Sequence, residues 1–393
     1  MTRILITDGD ERAALSLVRS FGRQGHEVDL VAPHPRPLAA ASRYCRHVHT
    51  GPSPFDPASF VDHVAAVVRD RQLDVVLPVT EAAALALLPG AARDRLRPAV
   101  VPYPEFERFR TVCDKQAVLG AARAEGVAVP EQLVIEGPMI RDVETVNLRF
   151  PLVIKPARSV SGSPGHRLKL TVSHADDLAE LKSILDAMPR EGYPVLIQRR
   201  IVGPGLGVFL LVWEDTIRAE FGHRRLREKP PAGGVSVYSE SVSLDPGLRD
   251  QSLRLLRRLG WQGIAMVEFK VDQESGTPYL MEINGRFWGS LQLALDAGVD
   301  FPNLLLDCLA GRTFGIPPYQ TGIRLRWWWG DVDHLLARLR HSRRRLHLPP
   351  DTPGRARVVT DFLTLRRGDR WETWRRDDPR PFVRESVRWV LRK

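Results

Sequence analysis

Residues 277–290 read TPYLMEINGRFWGS, with Glu282 and Asn284 two apart in an otherwise apolar run. On a strand, residues two apart share a face. Met281 and Ile283 are therefore expected to face a core, and Glu282 and Asn284 to face something else together. A carboxylate on a half-buried face needs a partner, because an unpaired buried charge is strongly unfavourable. A second acid, Glu268, stands in the preceding run, IAMVEFKVD. The two runs are joined by QESGT and read as a hairpin. Antiparallel pairing can bring Glu268, Glu282 and Asn284 together. Two carboxylates and an amide oxygen suit a hard divalent cation, and Mg2+ usually takes one or two carboxylates with substrate phosphates completing its shell. Arg286, one glycine later, can pair with a phosphate or carboxylate oxygen at the edge of that site. A hairpin whose glutamates simply pair with Lys270 and Arg286 at the surface fits this stretch equally well.

Other residues add to the first reading. Lys155 ends an apolar run, FPLVIKPAR, just before the Gly/Ser loop SVSGSPG. Such a loop can close over phosphates and offer them backbone N–H groups, here around Ser161 and Gly162. No GxxxxGK motif followed by Ser or Thr occurs. Lys115 follows Asp114 at an expected helix start, where a second cation could reach the same phosphates. VLIQRRIVG is an apolar strand breaking into a loop, suited to holding an adenine edge by backbone groups. In HRRLREKPPAGG, His223, Arg224, Arg225 and Arg227 could bind a substrate carboxylate or form a solvated face. Gly233 and Gly234 could be a flexible oxyanion loop or an ordinary turn. Trp327, Trp328 and Trp329 could stack on a base, but the alternation in IRLRWWWGD favours packing. CRHVH puts Cys45, His47 and His49 on one face of a short strand; without a further ligand this reads as a strand edge, not a metal site.

The elements that must position these residues follow from patterning. RILITDGD, a helical stretch ending at Gly25, and HEVDLVAP form a βαβ start, which implies a parallel sheet. PASFVDHVAAVVRDRQ reads as helix and LDVVLPVT as a buried strand. Residues 1–110 are thus expected to be a small doubly wound domain, although the first turn lacks GxGxxG. A second unit starts with a helix from about Asp114 to Glu125, stopped by Gly126. HADDLAELKSILDAM reads as a helix capped near His174 to Asp176. The expected divisions are 1–110, 111–192, 193–312 and a basic extension, 313–393.

The chain has 393 residues, enough for two or three domains, and carries a formal charge of +10. Much of that charge lies near the end, in RHSRRRLHL and WRRDDPRPFVRESVRWVLRK. Solvated helix faces are preferred over a nucleic-acid surface for it. No apolar run approaches the ~18 residues that span a bilayer, and charges occupy the place of a signal-peptide core, so a cytoplasmic protein is expected. Three dispersed cysteines give neither a disulfide framework nor a CxxC pair.

The order of these pieces resembles the ATP-grasp ligases of the group that joins a carboxylate to an amine, related in fold to biotin carboxylase and the large-subunit domains of carbamoyl phosphate synthase. The resemblance runs from residue 1 to about 312 and extends weakly through IRLRWWWGDVDHLL and DDPRPF. It implies a Rossmann-like first domain and a two-lobed ATP-grasp domain, of mixed α/β and α+β class. It also implies ATP with Mg2+, or Mn2+, as cofactors. Lys115 and Lys155 match the ATP lysines, and IQRRIVG the hinge, with Gln198 facing adenine by its side chain and Arg199 and Ile201 by their backbones. Glu268, Glu282 and Asn284 match the metal ligands, and Arg286 the phosphate-contacting arginine. HRRLREKPPAGGVSVYSES resembles the loop near the acyl phosphate. Arg199 stands where an acid is common, and GPGLG lacks the acid that often holds the ribose. The implied reaction activates a small-molecule carboxylate as an acyl phosphate for attack by an amine. A carboxylase or purine-precursor enzyme of the same fold, or a nucleotide- or RNA-binding protein without activity, remains open. So does the choice between monomer and homodimer.

Overall fold

The computed structural model describes residues 1–138, 148–162, 167–349 and 351–391. Part of the Gly/Ser loop, residues 163–166, lies outside the described residues. The first domain is built on a four-stranded parallel sheet in the order His47–Thr50, Glu27–Ala32, Arg3–Ile6, Val75–Leu77. Helix Arg12–Arg23 buries nearly its whole inner length, and helix Pro57–Arg71 starts at Asp56, whose carboxylate accepts from the Ser59 N–H at 3.4 Å. The edge strand holds His47 and His49 but not Cys45, and His49 Nε2 lies 2.9 Å from Asp29 Oδ2.

Helix Lys115–Ala124 opens the next unit. Asp114 caps it, accepting from the N–H groups of Gln116 and Ala117, and Gly126 follows at φ +70°. The small lobe is an antiparallel sheet in the order Gln132–Ile135, Val195–Arg199, Leu152–Pro156, Ser173–Ala175, backed by helix Leu178–Asp186. Two expectations are corrected here. The helix cap is Asp177, accepting from Glu180 N–H at 2.9 Å, because His174 is already committed to an edge strand. Strand Val195–Arg199 pairs with both Gln132–Ile135 and Leu152–Pro156, so the boundary drawn at 193 cuts through the small-lobe sheet.

The large lobe is a seven-stranded sheet: Pro278–Asn284, Gly263–Val271, Gly205–Trp213, Thr216–Lys229, Val235–Val242, Arg324–Arg326, Asp369–Trp371. Its last two strands come from residues beyond 313. The C-terminal stretch is therefore no appended tail; it completes the sheet. It also grips the first domain. Arg19, fully buried, pairs with Asp378 at 2.9 Å, Arg23 with Asp377 at 2.9 Å, and Arg388 with Asp10 at 2.6 Å. The tryptophan run packs, as expected: Trp328 stacks on Trp371 and Trp329 on Trp389. Among the described residues no helix is long and apolar enough to cross a membrane.

Candidate active site

The two hairpin strands place Glu268 directly opposite Glu282, and Met266 opposite Asn284. Both carboxylates and the amide line a cavity of about 900 Å³ between the two lobes and the first domain. The register slips between Glu268 and Phe269, whose partner is Leu280, leaving Met281 as the extra residue of a bulge. That corrects the expected alternation. Leu280 and Ile283 join the core, while Met281 turns to the cavity with its Sδ 4.0 Å from Lys155 Nζ.

A buried acid beside a half-buried one needs cations. Glu268 Oε2 accepts from Arg225 Nη2 at 2.5 Å, and Glu282 Oε2 lies 3.8 Å from Lys115 Nζ. Glu282 Oε1 accepts from Asn284 Nδ2 at 3.0 Å, and Arg286 Nη2 donates to Asn284 Oδ1 at 3.3 Å. Burial, with Glu282 and Glu228 nearby, holds the Glu268 carboxyl above its ordinary range despite Arg225. Burial also acts on Glu282, but Lys115, the Asn284 hydrogen bond and Lys155 outweigh it and bring that carboxyl below the ordinary range. The donor set is all oxygen, with Glu268 buried and Glu282 and Asn284 half-buried, which fits a hard divalent ion.

Lys155 and Lys115 line the same cavity, as do Gln198, Arg199 and Ile201. Burial lowers the Lys155 ammonium to about 8; Lys115 and Lys270 add to this, while Glu282 and Glu268 oppose it. Gln198 is buried and donates to Gln132 Oε1 at 2.8 Å, so one edge of its amide is already engaged. Arg199 pairs with Asp272 at 3.3 Å and lies over the Tyr279 ring. Of the Gly/Ser loop, Ser159 and Val160 line the cavity, not Ser161 and Gly162. Lys115 Nζ donates to Ser159 Oγ at 2.9 Å.

Strand Thr216–Lys229 divides the basic cluster. His223 and Arg225 line the cavity, with Gly233 and Gly234 at the tip of the same hairpin. Arg224 points to the opposite face and pairs with Glu240 at 2.8 Å, because neighbours on a strand alternate. Arg227 is turned away by irregular pairing on both sides of it and binds Asp331 at 2.6 Å. Neither is brought into the site. His223 is buried, which drives its imidazole to the neutral form; its Nε2 has no hydrogen-bond partner among the described residues. The tip is tight at Gly234, where a Cβ would sit 2.4 Å from the Lys229 carbonyl oxygen.

Sequence reasoning missed the first-domain wall. Asp8, Thr80 and Glu81 line the cavity at the ends of strands Arg3–Ile6 and Val75–Leu77. These strands are neighbours, and the sheet's chain order reverses between them. Such a switch point opens a crevice at the carboxyl ends of the strands, and that was the available signal. Burial raises the Glu81 carboxyl although Lys115 and Arg286 pull it back, and its Oε1 has no hydrogen-bond partner among the described residues. From the loop after Asn284, Trp288 and Ser290 complete the wall, Ser290 Oγ lying 3.4 Å from His223 Nδ1.

A family model described as "ATP-grasp in the biosynthetic pathway with Ter operon" matches residues 217–330. No curated protein sequence matches the chain. Among solved structures, L-amino acid ligase from Bacillus licheniformis superposes with TM-score 0.59 at 19% identity, over 79% of this chain and 75% of that one. The biotin carboxylase domain of Hydrogenobacter thermophilus 2-oxoglutarate carboxylase, in complex with MgADP and bicarbonate, gives 0.62 at 14%, over 82% and 73%. N5-carboxyaminoimidazole synthetase from Staphylococcus aureus gives 0.60 at 12%, over 80% and 78%.

Proposed function

We propose that this chain, which has the ATP-grasp fold, is an ATP-dependent ligase that activates a small-molecule carboxylate as an acyl phosphate and joins it to an amine. The observation that carries the reading is the cross-strand pair Glu268–Glu282 with Asn284, facing Lys115, Lys155 and Arg286 across one cavity. The solved neighbours include both an L-amino acid ligase and biotin carboxylases, and the screen of acids and amines below decides between the two reactions.

Phosphoryl transfer asks the protein for positioning and for positive charge where oxygen charge develops. Lys115 and Lys155 are assigned to the ATP phosphates, with Ser159 and Val160 beside them. Gln198, Arg199 and Ile201 are assigned to the base end of the nucleotide. Glu268, Glu282 and Asn284 would hold Mg2+, which when bound neutralises charge on the phosphate oxygens. The substrate carboxylate oxygen attacks the γ-phosphorus as the bond to ADP breaks. The amine nitrogen then attacks the acyl carbon, loses a proton and expels phosphate. Arg286 is assigned to the transferred phosphoryl or acyl oxygen, and His223, Arg225, Gly233 and Gly234 to the substrate side. A homodimer, the assembly of the biotin carboxylase neighbour, is one candidate state, and sedimentation distinguishes it from a monomer.

The test is an unbiased screen of acids and amines for ADP release. With the right carboxylate, ATP and no amine, hydroxylamine should trap a hydroxamate and ADP should accumulate. Release of AMP and pyrophosphate would overturn the reading, and ADP release supported by bicarbonate alone would move it to a carboxylase.

A further inference from the structure

The strand that carries Arg225 is held from behind by the C-terminal extension. Helix Trp328–Arg340 lies against strand Thr216–Lys229. Asp331, fully buried, takes both Arg227 Nε and Nη2 at 2.6 Å and also binds Arg326 at 2.6 Å. Asp333 binds Lys229 at 2.6 Å through one oxygen and the Trp389 indole N–H at 2.9 Å through the other. His334 Nδ1 lies 2.6 Å from the Glu228 carbonyl oxygen. Three consecutive residues, Arg227 to Lys229, are thereby tied to one helix.

Arg225 makes the connection to the cavity. Its Nη2 binds Glu268, while its Nη1 reaches both Glu228 Oε1 at 2.9 Å and the Gly234 carbonyl oxygen at 3.1 Å. One guanidinium thus joins a metal-ligand carboxylate, the residue pinned by His334, and the hairpin tip. A guanidinium is rigid, so where Glu228 and the tip stand decides how Arg225 meets Glu268. A divalent ion at Glu268 would compete with Arg225 for the carboxylate, and Glu228, bound to Arg225 at 2.9 Å, would retain the arginine. Resting on the metal-site reading above, we propose that Asp331 and Asp333 are positioning residues. By fixing Arg227 and Lys229 they set the hairpin that places Arg225, and through it the extension sets the cation affinity of the site and the position of the tip.

Removing Asp331 strands two arginines and risks misfolding, so the half-exposed pair Lys229–Asp333 carries the test. The variants are K229D, D333K and the exchanged pair K229D/D333K in the full chain. The readout is Mn2+ affinity with ADP present, followed by electron paramagnetic resonance well below the unfolding temperature, beside the thermal midpoint of each variant. Reversing one charge of such a pair should weaken Mn2+ binding about three- to tenfold, and the exchanged pair should recover at least half of the loss on a logarithmic scale. Single variants that lower the thermal midpoint yet keep parental Mn2+ affinity would overturn the proposal and leave the extension a packing element. Failure of the exchanged pair to recover affinity would overturn it too. If the parent itself binds no Mn2+ with ADP, the metal-site reading falls and this inference falls with it.

Discussion

Lys155 gives the assigned nucleotide site a proton signature. Burial holds its ammonium at about 8, against an ordinary value of 10.5. Phosphate oxygens brought beside it favour the charged form, so its proton affinity must rise on binding. With a value of about 8, roughly half of the free protein lacks this proton at pH 8 and about nine tenths lacks it at pH 9. Binding of ADP should therefore take up about 0.5 proton at pH 8 and about 0.9 at pH 9, with Kd rising towards tenfold per pH unit above that point. Calorimetry in two buffers of different ionisation enthalpy reads the uptake directly. Lys155→Met should abolish it. Equal uptake in parent and variant, or none at pH 9, would refute the assignment of Lys155 to the phosphates. The same shift has a stability side with a definite sign. A lysine whose value falls on folding binds more protons in the unfolded chain between about pH 8 and 10.5, so its penalty is fully present below pH 8 and is relieved as pH rises through that window. Lys155→Met should thus be more stable than the parent near neutrality, by up to ~3 kcal/mol, and the gain should vanish by about pH 10.5 in urea titrations.

Three further outcomes are expected. Glu282→Gln should lower turnover more than about a hundredfold, ~2.7 kcal/mol of transition-state stabilisation, yet leave the thermal midpoint nearly unchanged because no cavity opens; a loss under about threefold would sink its role as a ligand. Asp378→Ala removes the acid that binds Arg19, Ser42 Oγ and the Arg43 N–H, leaving a buried guanidinium without its charge partner. It should destabilise the protein by ~3–5 kcal/mol in denaturant titrations, and a loss below about 1 kcal/mol would mean the clasp to the first domain is not held this way. Binding to nonspecific DNA or RNA at physiological salt should be no tighter than about 10⁻⁵ M by fluorescence anisotropy, and tight, sequence-dependent binding would revive a nucleic-acid role for the basic extension.

The fold and its class were legible because each segment announces itself locally. The βαβ start, the capped helix after Asp114 and the hairpin around QESGT are all short-range signals, and the order of Lys115, Lys155, Glu268, Glu282, Asn284 and Arg286 points to one site. All of these line the same cavity. Two local readings depended on how the strands pair. The bulge at Met281 is a property of the pair of strands, since an unequal count opposite Phe269 cannot be read from one strand. Arg224 and Arg227 differ from Arg225 only in which way a twisted, irregular strand turns them.

What stayed hidden was set by contacts between distant parts of the chain. Asp8 and Glu81 become neighbours of Arg286 only when strands Arg3–Ile6 and Val75–Leu77 pair and their crevice meets the large lobe. The basic extension was legible in part: Arg343, Arg344 and Arg345 are exposed, as a solvated face requires, but Arg375 and Arg388 pair with Asp296 and Asp10. A sequence count assigns a charge to the segment that carries it; folding assigns it to the partner across the gap. Here the extension's partners lie in the first domain, at Asp10, on the helix that carries Asp296, and on the Arg225 strand, at Arg227 and Lys229. The segment least similar in character to the rest is thus the one that ties the two walls of the cavity together. Arg326, Arg375 and Arg388 serve there as internal counterions, while Arg343, Arg344 and Arg345 stay exposed on the surface.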